Sequence, residues 1–278
     1  NLDTGMGRSG IEAEFAMDLI RSVINLSNLK IEGIFSHFAA SESDLLFTQK
    51  QTNRNKRILD SLNIKLSYTH ISNSSGVVTA ENDFCNLVRF GILSFGIYTS
   101  QTIREKVDIK PVMSFKSRLS QIKTAKVGES IGYNQTFVTN RPLRYAIIPV
   151  GYADGYDFML SNLSQVLLRD ELCPVIGRIS MDMIAVDISG VPEAQVDDIV
   201  TLLGDHPDEI TAENLATLYN GSSYELISQI GRRAKRYFLK DDKIKTSEPI
   251  LRRDFVSSDF PDTKLNLVIE SAITQRLQ

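Results

Sequence analysis

Three glycines and a single arginine lie close together at the start of the chain, in Asp3-Thr4-Gly5-Met6-Gly7-Arg8-Ser9-Gly10. Glycine permits backbone conformations and close approaches that other residues hinder. A lone guanidinium suits the binding of an anion. This stretch therefore predicts a turn whose backbone approaches a ligand while Arg8 faces a negatively charged group.

Two histidines each close a short apolar run, His37 after Ile34-Phe35-Ser36 and His70 after Tyr68-Thr69. His70 precedes Ser72-Asn73-Ser74-Ser75-Gly76, whose hydroxyls and backbone amides could hold a phosphate at a helix start. The same residue types also serve as ordinary helix caps, and a lone histidine is usually a half-buried, hydrogen-bonded residue. Two strand-end histidines beside such a cluster nevertheless favour a site. No third ligand has metal-like spacing, so no metal is predicted.

Arg89 interrupts the apolar run Leu87-Val88-Arg89-Phe90-Gly91-Ile92. A buried arginine must be paired, which leaves a structural ion pair and a ligand contact as alternatives. Gly91 is either a simple turn or an amide that faces a phosphate. Further along, three tyrosines and a methionine lie in loops or at a helix start, where packing is their ordinary role: Tyr133, Tyr152, Met181 and Tyr224.

The elements that must position these residues alternate between helix and strand over the first hundred residues. Such alternation predicts an α/β fold with a parallel sheet, whose site lies where strands end. From about residue 110, short strand-like runs separated by turns predict a β-rich second domain. Apolar residues between 265 and 277 recur at helical spacing and predict a terminal helix.

Composition excludes several classes of protein. A net charge of −3 over 278 residues gives no reason to expect a nucleic-acid partner. No apolar run reaches the roughly 20 residues of a membrane helix. Two distant cysteines are typical of a reduced, cytoplasmic protein. The basic run 232–236 suits a solvated helix end, or less often a phosphate or carboxylate.

The order of the motifs carries more information than any one of them. In sequence stand Asp-Thr-Gly-Met-x-Arg-x-Gly, Ser-His-Phe-Ala, His-x-x-Asn-Ser, Val-Arg-Phe-Gly-Ile, Gly-Tyr-Ala-Asp-Gly, Gly-Arg-x-x-Met-Asp and Ser-Tyr-Glu. From residue 1 to about residue 240 the chain resembles the alanine racemase family of pyridoxal-phosphate enzymes. The resemblance implies the later half of a (β/α)8 TIM-type barrel over 1–108, a β-rich C-terminal domain over 109–250 and an extension over 251–278. It also implies a head-to-tail homodimer that interconverts L- and D-alanine and supplies D-alanine for peptidoglycan.

The resemblance implies a role for each matching residue. Ser74, Gly91, Ile92 and Tyr224 would hold the cofactor phosphate, and Arg89 the pyridine nitrogen. Tyr133 would be one catalytic base, reaching the partner's barrel. A phenol needs a nearby cation to act as a base near neutral pH, and His37 and Arg89 are candidates. His70 would orient the cofactor ring or Arg89. Arg8 and the amide of Met181 would bind the substrate carboxylate, and Tyr152 would narrow the entrance.

Several positions depart from the family pattern. The lysine that binds the cofactor covalently has no counterpart here, and we expect its segment upstream of residue 1. Asn1 stands where many members carry lysine, and Asn134 where glycine is common. Two alternatives stay open: a racemase of serine or another amino acid, and a truncated, non-catalytic subunit whose β domain serves dimerisation.

Overall fold

The computed structural model describes residues 1–231, 233–240, 243–248 and 266–270. The chain divides into two units, Asn1–Ile109 and Lys110–Gln278. No helix within the described ranges is long and apolar enough to cross a bilayer.

The first unit is built from short parallel strands joined by helices. Its elements are β1 (Leu2–Asp3), β2 (Ile11–Glu12), α1 (Ala16–Ile24), β3 (Gly33–Phe35), α2 (Leu45–Asp60), β4 (Tyr68–His70), α3 (Ser74–Thr79), a 3-10 turn (Ile92–Phe95) and α4 (Gln101–Arg104). Strand β1 pairs with β2 and β3 with β4, both in parallel. Because parallel neighbours need a crossover, α2 connects β3 to β4.

Apolar spacing fixes the helices of the first unit against its strands. Ala16 and Ile20 face inward from α1 and pack in one cluster with Leu2, Ile34 and Ile58. Asp44 caps helix α2, since its carboxylate accepts a hydrogen bond from the Phe47 amide at 2.8 Å. The parallel register pairs Phe35 with His70, which sets the ends of β3 and β4 side by side.

The second unit is β-rich, as the sequence predicts. Its elements are β5 (Met113–Arg118), β6 (Gln121–Ala125), β7 (Ser130–Ile131), β8 (Phe137–Val138), β9 (Leu143–Ile148), β10 (Gln165–Leu168), β11 (Glu171–Ile176), β12 (Ile184–Asp187), β13 (Ile199–Leu203), α5 (Ala212–Leu218), α6 (Ser223–Gln229), β14 (Lys235–Lys240), β15 (Lys243–Glu248) and β16 (Asn266–Glu270).

Ten of these strands form one sheet in the order β15-β14-β16-β5-β13-β10-β11-β12-β9-β6. Its neighbours are antiparallel except β14 and β16. Buried and part-exposed residues alternate along β10 and β12, which is the period of a strand with one buried face.

Two apolar runs have conformations that depend on their backbone bonding. The run 87–92 is irregular before the 3-10 turn at Ile92, because it bonds only at intervals, from the Leu87 amide to Thr69 and from the Arg89 amide to Ser72. The terminal helix expected over 265–277 is wrong at 266–270, where backbone pairing with β5 and β14 makes a strand. Residues 265 and 271–277 lie outside the described residues, as does the rest of the predicted extension.

Candidate functional site

Arg89 lies at the carboxyl ends of β3 and β4, surrounded by hydrogen-bond acceptors. Its Nη2 donates to the Ser36 carbonyl at 2.7 Å and the Ile71 carbonyl at 3.3 Å, and contacts His37 Nδ1 at 2.9 Å. Its Nη1 contacts His70 Nδ1. No carboxylate pairs with this guanidinium in the described part of the chain, so the positive charge is not neutralised by an ion pair.

The two histidines beside Arg89 are neutral acceptors. Burial, followed by the charge of Arg89, lowers the pKa of both His37 and His70 below the ordinary histidine value. Because a guanidinium can only donate, each Nδ1 must accept and the ring proton resides on Nε2. Arg8 is exposed, yet its charge also lowers the pKa of His37 and of Arg89.

An aromatic ring holds this cluster in place. Phe35 stacks on His70 with ring centroids 4.9 Å apart and planes 14° apart. The same ring lies 5.4 Å from the Arg89 guanidinium, within cation–π range. Phe35 ends β3, and its role was missed because an aromatic residue in a strand carries no distinguishing signal.

Ser74 forms a small cup with the loop after Arg89. Its Oγ accepts from the Gly91 amide at 2.9 Å and lies 3.5 Å from the Leu93 amide. Asn73 caps α3 by accepting from the Gly76 amide at 2.9 Å. A Cβ added at Gly91 would meet only the Ser74 hydroxyl, at 3.8 Å, so the space beside Gly91 is open. A hydroxyl and backbone amides around an open space suit a phosphate, and buried Ile92 supports the cup from behind.

A buried polar network fixes the backbone around His37. Thr4 and Ser36 share a hydrogen bond of 2.7 Å between hydroxyls. Gln51, fully buried on α2, donates to the His37 carbonyl at 2.9 Å and accepts from the Ala39 amide at 2.9 Å. Sequence reasoning missed Gln51 because a glutamine on a polar helix gives no sign that it turns inward.

In the second unit, two loops that carry predicted site residues are bonded together. The Tyr152 amide donates to the Ser180 carbonyl and the Ala153 amide to the Met181 carbonyl, both at 3.1 Å. A Cβ at Gly151 would lie 2.1 Å from the Ser180 oxygen, so only glycine allows this approach. These contacts hold the backbone at Tyr152 against the backbone at Met181.

Tyr133 projects from a constrained turn beside those loops. Its side chain is 70% exposed. It lines a groove of about 440 Å³ together with Arg178, Ser180 and Met183. The flanking residues Gly132 and Asn134 have φ values of 81° and 58°. These left-handed conformations turn the backbone sharply and present the phenol outward.

A charged bridge joins three segments of this unit. Arg233 contacts Asp154 from Nε at 3.2 Å and Asp182 from Nη2 at 2.7 Å. Asp154 is almost completely buried and also accepts from the Gly151 amide at 2.9 Å. At Arg233, within the basic run 232–236, the guanidinium binds carboxylates of the protein itself, and the side chain stays half exposed after the end of α6. Tyr224 lies near the start of α6, with 49% of its surface exposed.

The structure thus gathers the predicted residues into two groups. The first unit brings together His37, His70, Ser74, Arg89, Gly91 and Ile92, while Arg8 is linked to them only through the effect of its charge on His37. The second unit carries Tyr133, Tyr152, Met181 and Tyr224. Polar residues gathered at the carboxyl ends of parallel strands, followed by an antiparallel domain, define a two-domain protein of the (β/α)-barrel type.

Comparison with known proteins identifies the family. Residues 1–99 match the alanine racemase N-terminal domain and residues 112–238 the alanine racemase C-terminal domain. The chain is 38% identical over 242 residues to the alanine racemase of Halothermothrix orenii, covering 85% of this chain and 64% of that protein. It is 41% identical over 241 residues to that of Syntrophobacter fumaroxidans, with the same coverage. The chain belongs to the alanine racemase family.

Solved structures agree with the sequence matches. An alanine racemase from Clostridium difficile 630 superposes with a TM-score of 0.83 at 31% identity, covering 89% of this chain and 66% of that one. The Bacillus anthracis enzyme with bound L-Ala-P gives a TM-score of 0.80 at 28% identity, covering 88% and 65%. The fold class predicted from sequence, barrel elements followed by a β-rich domain, is confirmed. The chain spans about 64% of the length of the curated relatives it matches.

Proposed function

We propose that the protein containing this chain is a cytoplasmic, pyridoxal-phosphate-dependent alanine racemase that works as a head-to-tail homodimer and supplies D-alanine for peptidoglycan. The observation that carries the proposal is Arg89, a guanidinium held between two neutral histidines with no carboxylate partner in the described chain. The names of the relatives, all alanine racemases, support alanine as substrate.

The residues of the first unit fit pyridoxal phosphate. Ser74 Oγ, which accepts from the Gly91 amide, would donate its own proton to the phosphate, and the absence of a side chain at Gly91 would leave room for the phosphate in the open cup. Arg89 would donate to the pyridine nitrogen, and because arginine keeps its proton, that nitrogen would stay largely unprotonated. When bound, the cofactor supplies an electron sink for the substrate Cα, weakened by that choice of partner so that proton exchange is favoured over competing reactions.

Racemisation requires a proton acceptor on each face of Cα. We assign one of these roles to the Oη of Tyr133, supplied across the dimer, because the phenol is exposed on a rigid turn. His37 is a neutral acceptor and so would not supply the cation expected beside the phenol; that role would fall to Arg89, which His37 and His70 would hold in orientation. Arg8 would bind the substrate carboxylate together with the Met181 amide, and Tyr152 would restrict the entrance.

Proton exchange in heavy water tests the proposal. The whole protein, loaded with pyridoxal phosphate, should exchange the alanine Cα proton for deuterium and form both enantiomers. Tyr133→Phe should lower this rate by about 100-fold or more, the usual contribution of a general base. Tyr68→Phe is the matched control, because Tyr68 is likewise an exposed tyrosine, at 51%, but lies on β4. Its rate should equal wild type.

The same assay separates the alternatives. Faster turnover of serine than of alanine would make serine, rather than alanine, the proposed substrate. Cofactor bound without exchange of either amino acid would overturn the racemase proposal in favour of a non-catalytic subunit.

A further inference from the structure

We infer that Arg233 is a positioning residue that holds together three of the four segments carrying predicted site residues of the second unit. These site residues are Tyr152, Met181 and Tyr224. The inference rests on the proposed function for its kinetic consequence, but its structural part stands on the contacts alone.

The first contact fixes the loop of Tyr152. Asp154 ends the 3-10 turn Tyr152–Asp154. Its Oδ2 accepts from the Gly151 amide at 2.9 Å, and its Oδ1 lies 3.2 Å from Arg233 Nε. Its side chain is only 3% exposed. A buried carboxylate needs a counter-charge, so this arm of the bridge holds the loop to the segment after α6.

The second contact fixes the loop of Met181. Arg233 Nη2 binds Asp182 at 2.7 Å, and Asp182 directly follows the residue whose amide is expected to bind substrate. One planar guanidinium therefore binds two carboxylates from loops 28 positions apart in sequence (154 and 182). Its fork of donors permits this, whereas a lysine ammonium would serve one carboxylate well and the other poorly.

The third segment is the end of α6, the helix that carries Tyr224. The Gly231 amide donates to the Asp154 carbonyl at 3.1 Å. A Cβ on Gly155 would lie 2.3 Å from the Gln229 oxygen, so the loop and the helix end touch through their backbones. Arg233 follows this contact by two residues and adds the only charged link among the three segments in the described chain.

The two arms of the bridge differ in exposure. The Arg233 side chain is 52% exposed and Asp182 is 49% exposed, so this arm contributes little to global stability. Asp154 is 3% exposed, so the loss of its counter-charge should also lower the free energy of unfolding. In the folded protein, the loops that Arg233 holds would gain freedom around the substrate carboxylate and the entrance. Loosened substrate contacts raise KM more than they lower kcat.

The test compares Arg233→Gln with Arg169→Gln in the whole, cofactor-loaded protein. Arg169 makes an equally close pair with Asp198, at 2.7 and 3.0 Å, away from the site loops. Arg233→Gln should raise KM for alanine about tenfold with kcat within about threefold. Arg233→Lys should fall between wild type and Arg233→Gln, and Arg169→Gln should match wild type.

Hydrogen exchange gives a readout that needs no activity. The amides of Tyr152 and Ala153 bond to the facing loop. Their hydrogen-exchange rates should be about tenfold higher in Arg233→Gln than in wild type and should not change in Arg169→Gln. If Arg233→Gln does not fold, Asp182→Asn removes only the exposed arm and should show the same two changes, each smaller.

Equal values for Arg233→Gln and Arg169→Gln in either readout overturn the inference. If the wild-type protein exchanges no alanine proton, the proposed function fails instead, and the amide exchange alone then decides the role of Arg233.

Discussion

Replacing Ser74 by alanine should weaken cofactor binding through the phosphate alone. The substitution removes the Oγ that accepts from the Gly91 amide at 2.9 Å and from which a phosphate would receive a hydrogen bond. A hydrogen bond to a charged group contributes about 1.5–3 kcal/mol, so the Kd for pyridoxal phosphate should rise about 10- to 100-fold.

Ser75→Ala is the matched control. Ser75 is equally buried and one residue away, but its Oγ bonds to the Thr99 hydroxyl at 2.8 Å rather than to the cup. Each substitution loses one buried hydrogen bond, so both should lower the free energy of unfolding by about 1 kcal/mol. Only Ser74→Ala should change the Kd for pyridoxal phosphate.

Fluorescence titration of the cofactor-free whole protein measures these constants, once with pyridoxal phosphate and once with pyridoxal, which lacks the phosphate. The reasoning predicts that pyridoxal binds both variants as it binds wild type. It would be refuted by equal losses of pyridoxal phosphate affinity in the two variants, or by a Ser74→Ala loss that is the same for pyridoxal.

Two further predictions concern stability. Gly151→Ala should cost about 3 kcal/mol or more of unfolding free energy in urea, because its Cβ would lie 2.1 Å from a backbone oxygen; Gly190→Ala, with nothing within 4 Å, should cost far less. Because burial and Arg89 lower the pKa of His37 and His70 in the folded protein, the unfolded chain binds more protons as pH falls below the ordinary value of about 6.5. Stability present above that pH should therefore be lost on acidification. The melting temperature should fall as pH is lowered from 7.5 to 5, and it should fall less steeply with pH in Arg89→Gln. The same dependence of melting temperature on pH in both proteins would contradict the role given to Arg89.

Local pattern predicts some elements of this protein well. The ends of β3 and β4 at Phe35 and His70 follow from short apolar runs that stop at polar residues. Strand-end placement then explains why two histidines and Arg89 meet. Buried and part-exposed residues alternate along β10 and β12, and this period is typical of the strands that the sequence predicts for the second unit.

Other features depend on contacts distant in sequence. Arg233 lies 51 positions from Asp182, and nothing in the basic run around it indicates which carboxylates it binds. Gln51 turns inward because Thr4 and His37, which follow β1 and β3, accept hydrogen bonds from its side chain. The run at 266–270 has helical spacing, yet open strand edges on both sides determine its conformation.

The turn that carries Tyr133 has a consequence for association. Asn134, at a φ of 58°, occupies a region that glycine and asparagine tolerate, so either residue type would suit this turn. Asparagine samples fewer backbone states than glycine when unfolded, so this version of the turn is more preorganised. The turn loses its conformational entropy during folding, so binding of the Tyr133 phenol to another molecule should cost little further entropy.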